Sequence, residues 1–303
     1  MSGRKRQQQR GPKRTSFILD VFTQTDIERW SSRSADAQRY SDYVYFDLER
    51  QRVAHYEELC DSLRDAGSIE VDVDSWTRIT DYRWSLTPLS SAGSLKGIGG
   101  RFNIGQDLDR ARAQFFPALY VAENLDTAFC EFFGGPPSSK QGALTLQEFA
   151  LRRATSFTTF ALQGRIENTF DLTTSMSLRK FAAIVSRFQL SADTRRFARQ
   201  VNLRPRTLVR SPKALMERLL CAPKLWRTEP QLFGIPAANQ IFGRFLRDAG
   251  FEAVLYPSQQ GGTRCLAVFP ENFTSSASRI EVVGGAPKGA KHLILHKGAT
   301  CLD

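Results

Sequence analysis

The sequence predicts a mixed α/β (α+β) fold, with helices and strands distributed along one chain. Residues 25–66 have the apolar spacing of helices, and residues 69–76 alternate between apolar and polar side chains. Near the C-terminus, two short apolar runs flank a Gly-rich turn directly after a helical segment. With 303 residues, the chain is long enough for one large or two small domains with a sizeable core.

The first predicted elements are helical and occupy residues 16–70 after a basic tail at residues 1–15. Asp26 is placed to cap the first turn, and Gly67 is a reasonable stop. The predicted apolar stripe consists of Phe46, Leu48, Val53, Leu59 and Leu63.

A strand beginning at Ile69 and a long irregular Ser/Gly-rich segment are predicted next. Residues 118–122 form a short apolar run typical of a buried strand, and Asn124 can cap the helix that follows it. Glu131 lies at the edge of the apolar stripe of that helix, where a carboxylate can face a cleft.

The middle of the chain, residues 150–225, is predicted to be helical and basic. A further helix over 237–249 precedes a β-hairpin formed by residues 251–256 and 265–269. A final strand is expected at 279–283, followed by a C-terminal tail over residues 286–303.

Charge and composition narrow the classes of function. The net charge is +11, and the first fourteen residues contain six Lys or Arg and no acid, so the rest carries only +5. The composition of this tail indicates a disordered, solvated leader, and nucleic-acid binding is a weaker alternative. No apolar run is long enough to span a bilayer, and five scattered cysteines fit a reducing compartment, so a cytoplasmic protein without membrane contact is expected. Cys130 and Cys265 are predicted to be buried.

The three histidines give little support to metal or ribonuclease chemistry. His55 is a lone histidine on a charged helix, which does not by itself indicate an acid or base. His292 and His296 have helical ligand spacing, but their segment alternates like a strand. No metal is therefore expected.

A set of polar residues in a fixed order carries a stronger signal. Arg101 follows two glycines, Tyr120 lies on a predicted strand, Glu131 lies on the next helix, and Ser258 follows a late strand. The segments containing them resemble the RES domain family, named for its Arg, Glu and Ser. The matching segments are TRI (77–79), GGRFNIG (99–105), ALYVAENLDTAFCEFF (118–133) and GFEAVLYPSQQGGTRCLAVF (250–269).

The resemblance implies a core like that of ADP-ribosyltransferases over residues 71–285, with a helical insertion at 150–225 and a helical N-terminal extension. Many family members are toxins of Xre–RES toxin–antitoxin pairs, and members destroy NAD at the nicotinamide–ribose bond by hydrolysis or phosphorolysis. The implied partners are NAD as substrate and a cognate Xre-like helix-turn-helix antitoxin. The N-terminal helices could bind that antitoxin, block the cleft, select a target or form a homodimer interface.

The resemblance also assigns roles to individual residues. It implies catalytic roles for Glu131, Arg101 and Tyr120. It implies NAD-binding roles for Arg78, Arg101, Asn103, Tyr120 and Ser258.

The side-chain types suit this chemistry independently. A guanidinium binds phosphate oxygens bidentately, and a carboxylate stabilises the oxocarbenium-like ribose that remains when nicotinamide leaves. The alternatives are structural: Arg101 could pair with Asp107, Glu131 could be solvated, Tyr120 could be core packing, and Ser258 could form a turn. Two other functions also stay open, namely ADP-ribose transfer to a macromolecule and nucleic-acid binding.

Overall fold

The structure is a computed structural model that describes residues 24–133, 156–221, 225–259, 263–273 and 277–298. The predicted basic tail, the end of the C-terminal tail with Cys301, and residues 150–155 of the predicted helical insertion lie outside these ranges. Within them, seven strands and eight α-helices alternate along the chain, as the mixed α/β prediction requires.

The elements are numbered in chain order. The helices are α1 (Gln24–Ala54), α2 (Tyr56–Arg64), α3 (Leu125–Phe133), α4 (Arg179–Val185), α5 (Ala192–Gln200), α6 (Pro212–Leu215), α7 (Thr228–Phe233) and α8 (Ala238–Asp248). The strands are β1 (Ile69–Asp81), β2 (Leu119–Ala122), β3 (Phe157–Asp171), β4 (Ala253–Pro257), β5 (Arg264–Val268), β6 (Arg279–Gly284) and β7 (Ile294–Leu295).

The sheet has the order β1-β2-β5-β4-β3-β6-β7, and β1 also pairs with β3. This additional pairing closes a hydrogen-bonded circuit of five strands, from β1 through β2, β5, β4 and β3 back to β1. The β4–β5 hairpin is antiparallel, as predicted, and β4 is parallel to the end of β3.

Strand β3 corrects the prediction of a helical middle region. Its fifteen residues lie within the predicted helical region over 150–225, yet they form a strand in which Phe160, Leu162 and Ile166 share one face and are fully buried. Pairing with β1 runs from Ile69↔Thr169 to Asp81↔Phe157, so the strand is held by partners far away in sequence. The local amino-acid composition therefore gives little indication that these residues form a strand.

The N-terminal helices are present, but the predicted stripe is only partly correct. Phe46 and Val53 are more than half exposed, whereas Tyr40 and Val44 are buried against Leu190 and other residues that follow α4. Asp26 was predicted to cap the first turn; its backbone lies inside α1, which already includes Gln24.

Period-two alternation places the polar site on one face of the sheet. In β2, β4 and β5, alternate side chains enter a core made almost entirely by strands, among them Leu119, Leu255 and Leu266. The intervening side chains, which include Tyr120, Tyr256 and Cys265, face the core shared with the helices. Tyr120, Tyr256 and Cys265, which line the candidate site described below, belong to this second face.

Candidate active site

The loop over residues 99–105 carries Arg101 and has a backbone that only glycine fits at two positions. Gly99 has a φ of +89°, in the left-handed region. A Cβ at Gly100 would lie 2.4 Å from the Tyr120 hydroxyl oxygen. The two glycines before Arg101 therefore allow a tight turn against the ring of Tyr120.

Two buried amides hold this loop, and one of them was missed by the sequence analysis. The Gln240 side-chain nitrogen on α8 lies 2.8 Å from the Ile98 carbonyl oxygen and 3.0 Å from the carbonyl oxygens of Gly100 and Asn103. Gln240 is fully buried. Its position in an amphipathic helix gave no sign of this contact, because the loop lies about 140 residues earlier in the chain.

Asn103 is the second amide; its hydrogen bonds go to the loop and its surroundings, and its contact with NAD stays a prediction. Its Oδ1 accepts hydrogen bonds from the Gly100 amide at 2.8 Å and the Tyr120 hydroxyl at 2.9 Å. Its Nδ2 donates to the carbonyl oxygens of Ser94 and Phe116. The side chain is fully buried with its hydrogen-bonding capacity used, so it positions the loop from behind the cavity.

Tyr120 is shared between the loop and the cavity. Its hydroxyl donates to Asn103 and accepts a 2.9 Å hydrogen bond from the Phe102 amide. Burial raises the pKa of this phenol well above its ordinary value, so the proton stays on the oxygen. Both hydrogen bonds of this hydroxyl are made within the protein, and Tyr120 also lines the cavity.

Arg101 and Glu131 come together across the same cavity. Arg101 Nη2 lies 3.6 Å from Glu131 Oε2, and the two side chains are 7% and 23% exposed. The guanidinium carbon of Arg101 also lies 5.2 Å from the centre of the Tyr256 ring. Arg101 therefore pairs with Glu131 and not with Asp107, the alternative considered from the sequence.

The Nη1 atom of Arg101 is buried and has no hydrogen-bond partner. A buried donor without a partner costs roughly 1–3 kcal/mol, and more where the group is charged. Arg101 also lines the cavity, and this buried, incompletely paired cation is the strongest local indication that the cavity receives an anion.

The β4–β5 hairpin orients the carboxylate of Glu131. Its Oε1 accepts hydrogen bonds from the Ser258 hydroxyl at 2.7 Å and the Gln259 amide at 2.8 Å. Asn124 caps α3 as predicted, since its Oδ1 accepts from the Thr127 amide at 2.8 Å. One carboxylate oxygen is thus fixed by the hairpin, and the other faces Arg101.

The two remaining predicted NAD-binding residues, Ser258 and Arg78, make hydrogen bonds to other parts of the protein. Ser258 does not line the cavity; its hydroxyl serves Glu131, so it is a positioning residue. Arg78 is buried beneath β2 and donates to the carbonyl oxygens of Pro88, Ser90 and Tyr120 at 2.8–3.0 Å. Its guanidinium binds backbone, because strand β1 directs it towards the loop that precedes Arg101.

The space between these groups, named the sheet cavity, has a volume of about 480 Å³. This falls within the range of small-molecule sites. Part of its wall comes from α7 and the turn before it, where the sequence patterns gave no indication of a site. The lining residues in that wall are Trp226, Arg227, Thr228 and Gln231.

Catalysis by a cysteine nucleophile, a metal ion or a histidine has less support from the structure. Burial raises the pKa of the Cys265 thiol, which keeps it protonated and a poor nucleophile. Throughout the described ranges, no group of three or more His, Cys, Asp or Glu could hold a metal ion. His55 contacts Glu58 at the exposed surface, and it is not among the residues that line the sheet cavity.

A sequence profile of the family described as "RES domain" matches residues 75–287, which is more than half of the chain. The chain belongs to the RES domain family. The resemblance to this family is thereby confirmed, and the RES segment contains Arg101, Tyr120, Glu131 and Ser258. Helices α1 and α2 precede the matched residues.

Among curated proteins, no sequence match was found. Among solved structures, a similarity was found to the crystal structure of the M. tuberculosis MbcT–MbcA toxin–antitoxin complex. It covers 75% of this chain and 90% of that chain, at 16% identity and a TM-score of 0.42. In the part of the chain that the structure describes, no helix is both long and apolar enough to cross a membrane.

Proposed function

We propose that this RES protein consumes NAD by breaking the bond between nicotinamide and ribose, and that it acts as the toxin of a toxin–antitoxin pair. The observation that carries the proposal is the pair of Arg101 and Glu131, 3.6 Å apart in one cavity of about 480 Å³. The family resemblance supplies the substrate and the toxin role.

The first part of the proposed mechanism is binding. The pyrophosphate of NAD binds to the guanidinium of Arg101, which lines the sheet cavity. A guanidinium contacts two phosphate oxygens at once, which fixes the direction of the dinucleotide in the cavity. The aromatic faces of Tyr120 and Tyr256 offer apolar walls for the rings of the substrate.

The second part is cleavage. The C1′–N bond breaks with its electron pair going to nicotinamide, which leaves as a neutral molecule. Positive charge develops on the ribose, and the Oε2 of Glu131 stabilises it, while Ser258 and Gln259 hold Oε1 in place. An acceptor oxygen then bonds to C1′ and loses its proton to solvent.

The acceptor divides the proposal into three outcomes. Water gives ADP-ribose, inorganic phosphate gives a phosphorylated ADP-ribose, and a macromolecule becomes ADP-ribosylated. The purified full chain is incubated with adenine-labelled NAD in phosphate-free buffer, in phosphate, and in cell extract, while nicotinamide release and the fate of the label are followed.

Glu131→Gln is the decisive variant because it keeps the shape of the side chain and an oxygen for Ser258. Asp126→Asn is the matched control, a carboxylate on the exposed part of the same helix. We expect Glu131→Gln to lose nicotinamide release and Asp126→Asn to retain it. No release by the wild-type chain in all three conditions would refute the proposed activity.

The toxin role needs its own experiment. Induced expression in a bacterium is expected to stop growth and lower cellular NAD, whereas the Glu131→Gln chain allows growth. Co-expression of a helix-turn-helix protein encoded beside the gene is expected to restore growth and to co-purify with the chain. Normal growth at a high level of wild-type protein would reject the toxin role and leave the enzymatic proposal intact.

A further inference from the structure

A second cavity lies where helices α1 and α2 meet helices of the RES segment. This helix cavity has a volume of about 140 Å³. Its walls are apolar side chains from several helices, for example Leu59, Phe181 and Phe245. The exception is Arg52 of α1, the one charged residue in its lining.

The guanidinium of Arg52 is incompletely bound. Its Nε donates to Glu49 Oε2 at 2.7 Å, but its Nη2 is buried and has no hydrogen-bond partner. The other oxygen of Glu49 accepts from Arg244 at 3.0 Å, and the Nε of Arg244 is also buried without a partner. Two guanidinium groups therefore share one carboxylate.

The groups around Arg52 leave one positive charge uncompensated. All three side chains of this cluster are at least 83% buried. The ring of Tyr45 lies 5.6 Å from the Arg52 guanidinium carbon, and burial raises the pKa of this phenol to about 12, so it is neutral. A buried positive charge whose hydrogen-bond donors lack partners is costly in free energy unless an anion binds to it.

The volume indicates the size of the missing partner. An apolar cavity of about 150 Å³ is large enough to take up benzene, which has six carbon atoms. Leu219 lines the helix cavity and is 37% exposed, so the cavity approaches the surface at that point. The combination of an apolar chamber and an unfilled guanidinium repeats the arrangement that marks Arg101 in the sheet cavity.

We propose that the helix cavity binds a small carboxylic acid. Its carboxylate pairs with Arg52, and its apolar chain of about five carbons occupies the space between α1, α4 and α8. This site is independent of NAD chemistry, and it joins the helices that precede the RES match to the RES segment itself.

The test uses calorimetric titration of the full chain with sodium hexanoate, 1-hexanol, hexylamine and sodium acetate. We expect one hexanoate per chain. Hexanol should bind at least tenfold more weakly because it lacks the anion, and acetate should bind more weakly still because it lacks the chain. Hexylamine should show no binding, since its charge repels Arg52.

Variants locate the site. Arg52→Met is expected to weaken hexanoate binding at least tenfold and to leave hexanol binding unchanged. Arg179→Met, which removes an exposed arginine, is the matched control for charge, and Arg101→Met separates this site from the sheet cavity. Both of these should retain wild-type affinity for hexanoate.

A second route does not depend on the folding of Arg52→Met. Val185→Phe places a ring inside the cavity and should abolish hexanoate binding while circular dichroism shows a folded chain. Equal affinity for hexanoate and hexanol, unchanged binding in Arg52→Met or Val185→Phe, or no binding by the wild-type chain would each overturn the proposal.

Discussion

The sheet cavity and the helix cavity balance a buried guanidinium in different ways. Arg101 faces one carboxylate, Glu131, which is itself held by Ser258 and Gln259. Beside the helix cavity, the carboxylate of Glu49 accepts from two guanidinium groups, of which only Arg52 lines the cavity. The first arrangement is neutral and oriented, and the second has excess positive charge.

This difference in charge balance indicates which kind of ligand each cavity can bind. A neutral, oriented pair can stabilise opposite charges at two points of one ligand, as NAD requires at its pyrophosphate and its ribose. An excess of positive charge within apolar walls fits a single anion with a hydrocarbon chain. Helix α8 separates the two, since Gln240 holds the Arg101 loop while Ile241 and Phe242 line the helix cavity.

The largest expected effect concerns the geometry of Arg101. Arg101→Lys keeps the positive charge but loses the planar fork that contacts two phosphate oxygens. We expect kcat/KM for NAD cleavage to fall about 100-fold, as for the loss of one or two charged hydrogen bonds. Steady-state kinetics measure the change, with Arg179→Lys as the control. A change below about threefold would show that Arg101 acts only as a point charge.

The loop anchor is expected to show the next largest effect. Gln240→Leu leaves the carbonyl oxygens of Ile98, Gly100 and Asn103 without their shared donor, which should lower the free energy of unfolding by about 2–3 kcal/mol. Urea unfolding measures it, and Gln200→Leu on the exposed end of α5 is the control. Equal stability of the two variants would contradict the anchoring role.

Glu49 tests the charge excess of the helix cavity. Burial alone raises the pKa of Glu49, but Arg52 and Arg244 outweigh it and hold the pKa below its ordinary value of 4.5. Glu49→Gln should therefore cost about 1.5 kcal/mol of unfolding free energy at neutral pH.

The pH dependence of this loss follows from its sign. Because the folded pKa is depressed, the stabilisation by Glu49 is complete above pH 4.5 and is lost as pH falls through the folded pKa. The difference between wild type and Glu49→Gln should accordingly shrink in acid. A difference that stays constant from pH 7 to pH 3 would show that charge is not its cause.

The smallest expected effect distinguishes two roles of Ser258. If Ser258 positions Glu131, Ser258→Ala should lower kcat about tenfold, equivalent to about 1.4 kcal/mol, with KM for NAD unchanged. Ser258→Thr keeps a hydroxyl and should restore most of the rate. A raised KM with normal kcat would instead support the direct contact with NAD that the sequence predicted.

Local sequence patterns predicted much of the fold. The cap at Asn124, the β4–β5 hairpin and helix α8 were identified because turn residues and apolar spacing act over a few positions. Strand β3 was not identified, because it is stabilised by β1, β4 and β6, which are distant in sequence.

The site was predicted in its residues but not in all of their roles. The ordered motif indicated Arg101 and Glu131, and the structure places them in one cavity. It also indicated Asn103 and Arg78, which bind the backbone of surrounding loops. A motif marks residues that a site needs, and only the three-dimensional contacts separate those that face the ligand from those that hold the others.

The most direct test of the central claim is a double-mutant cycle on NAD cleavage with Arg101→Met, Glu131→Gln and the double variant. Two groups that act on one substrate in one cavity lose activity non-additively, so the double variant should be about as slow as the slower single variant. Losses that multiply, or two single variants with wild-type rates, would contradict a shared site.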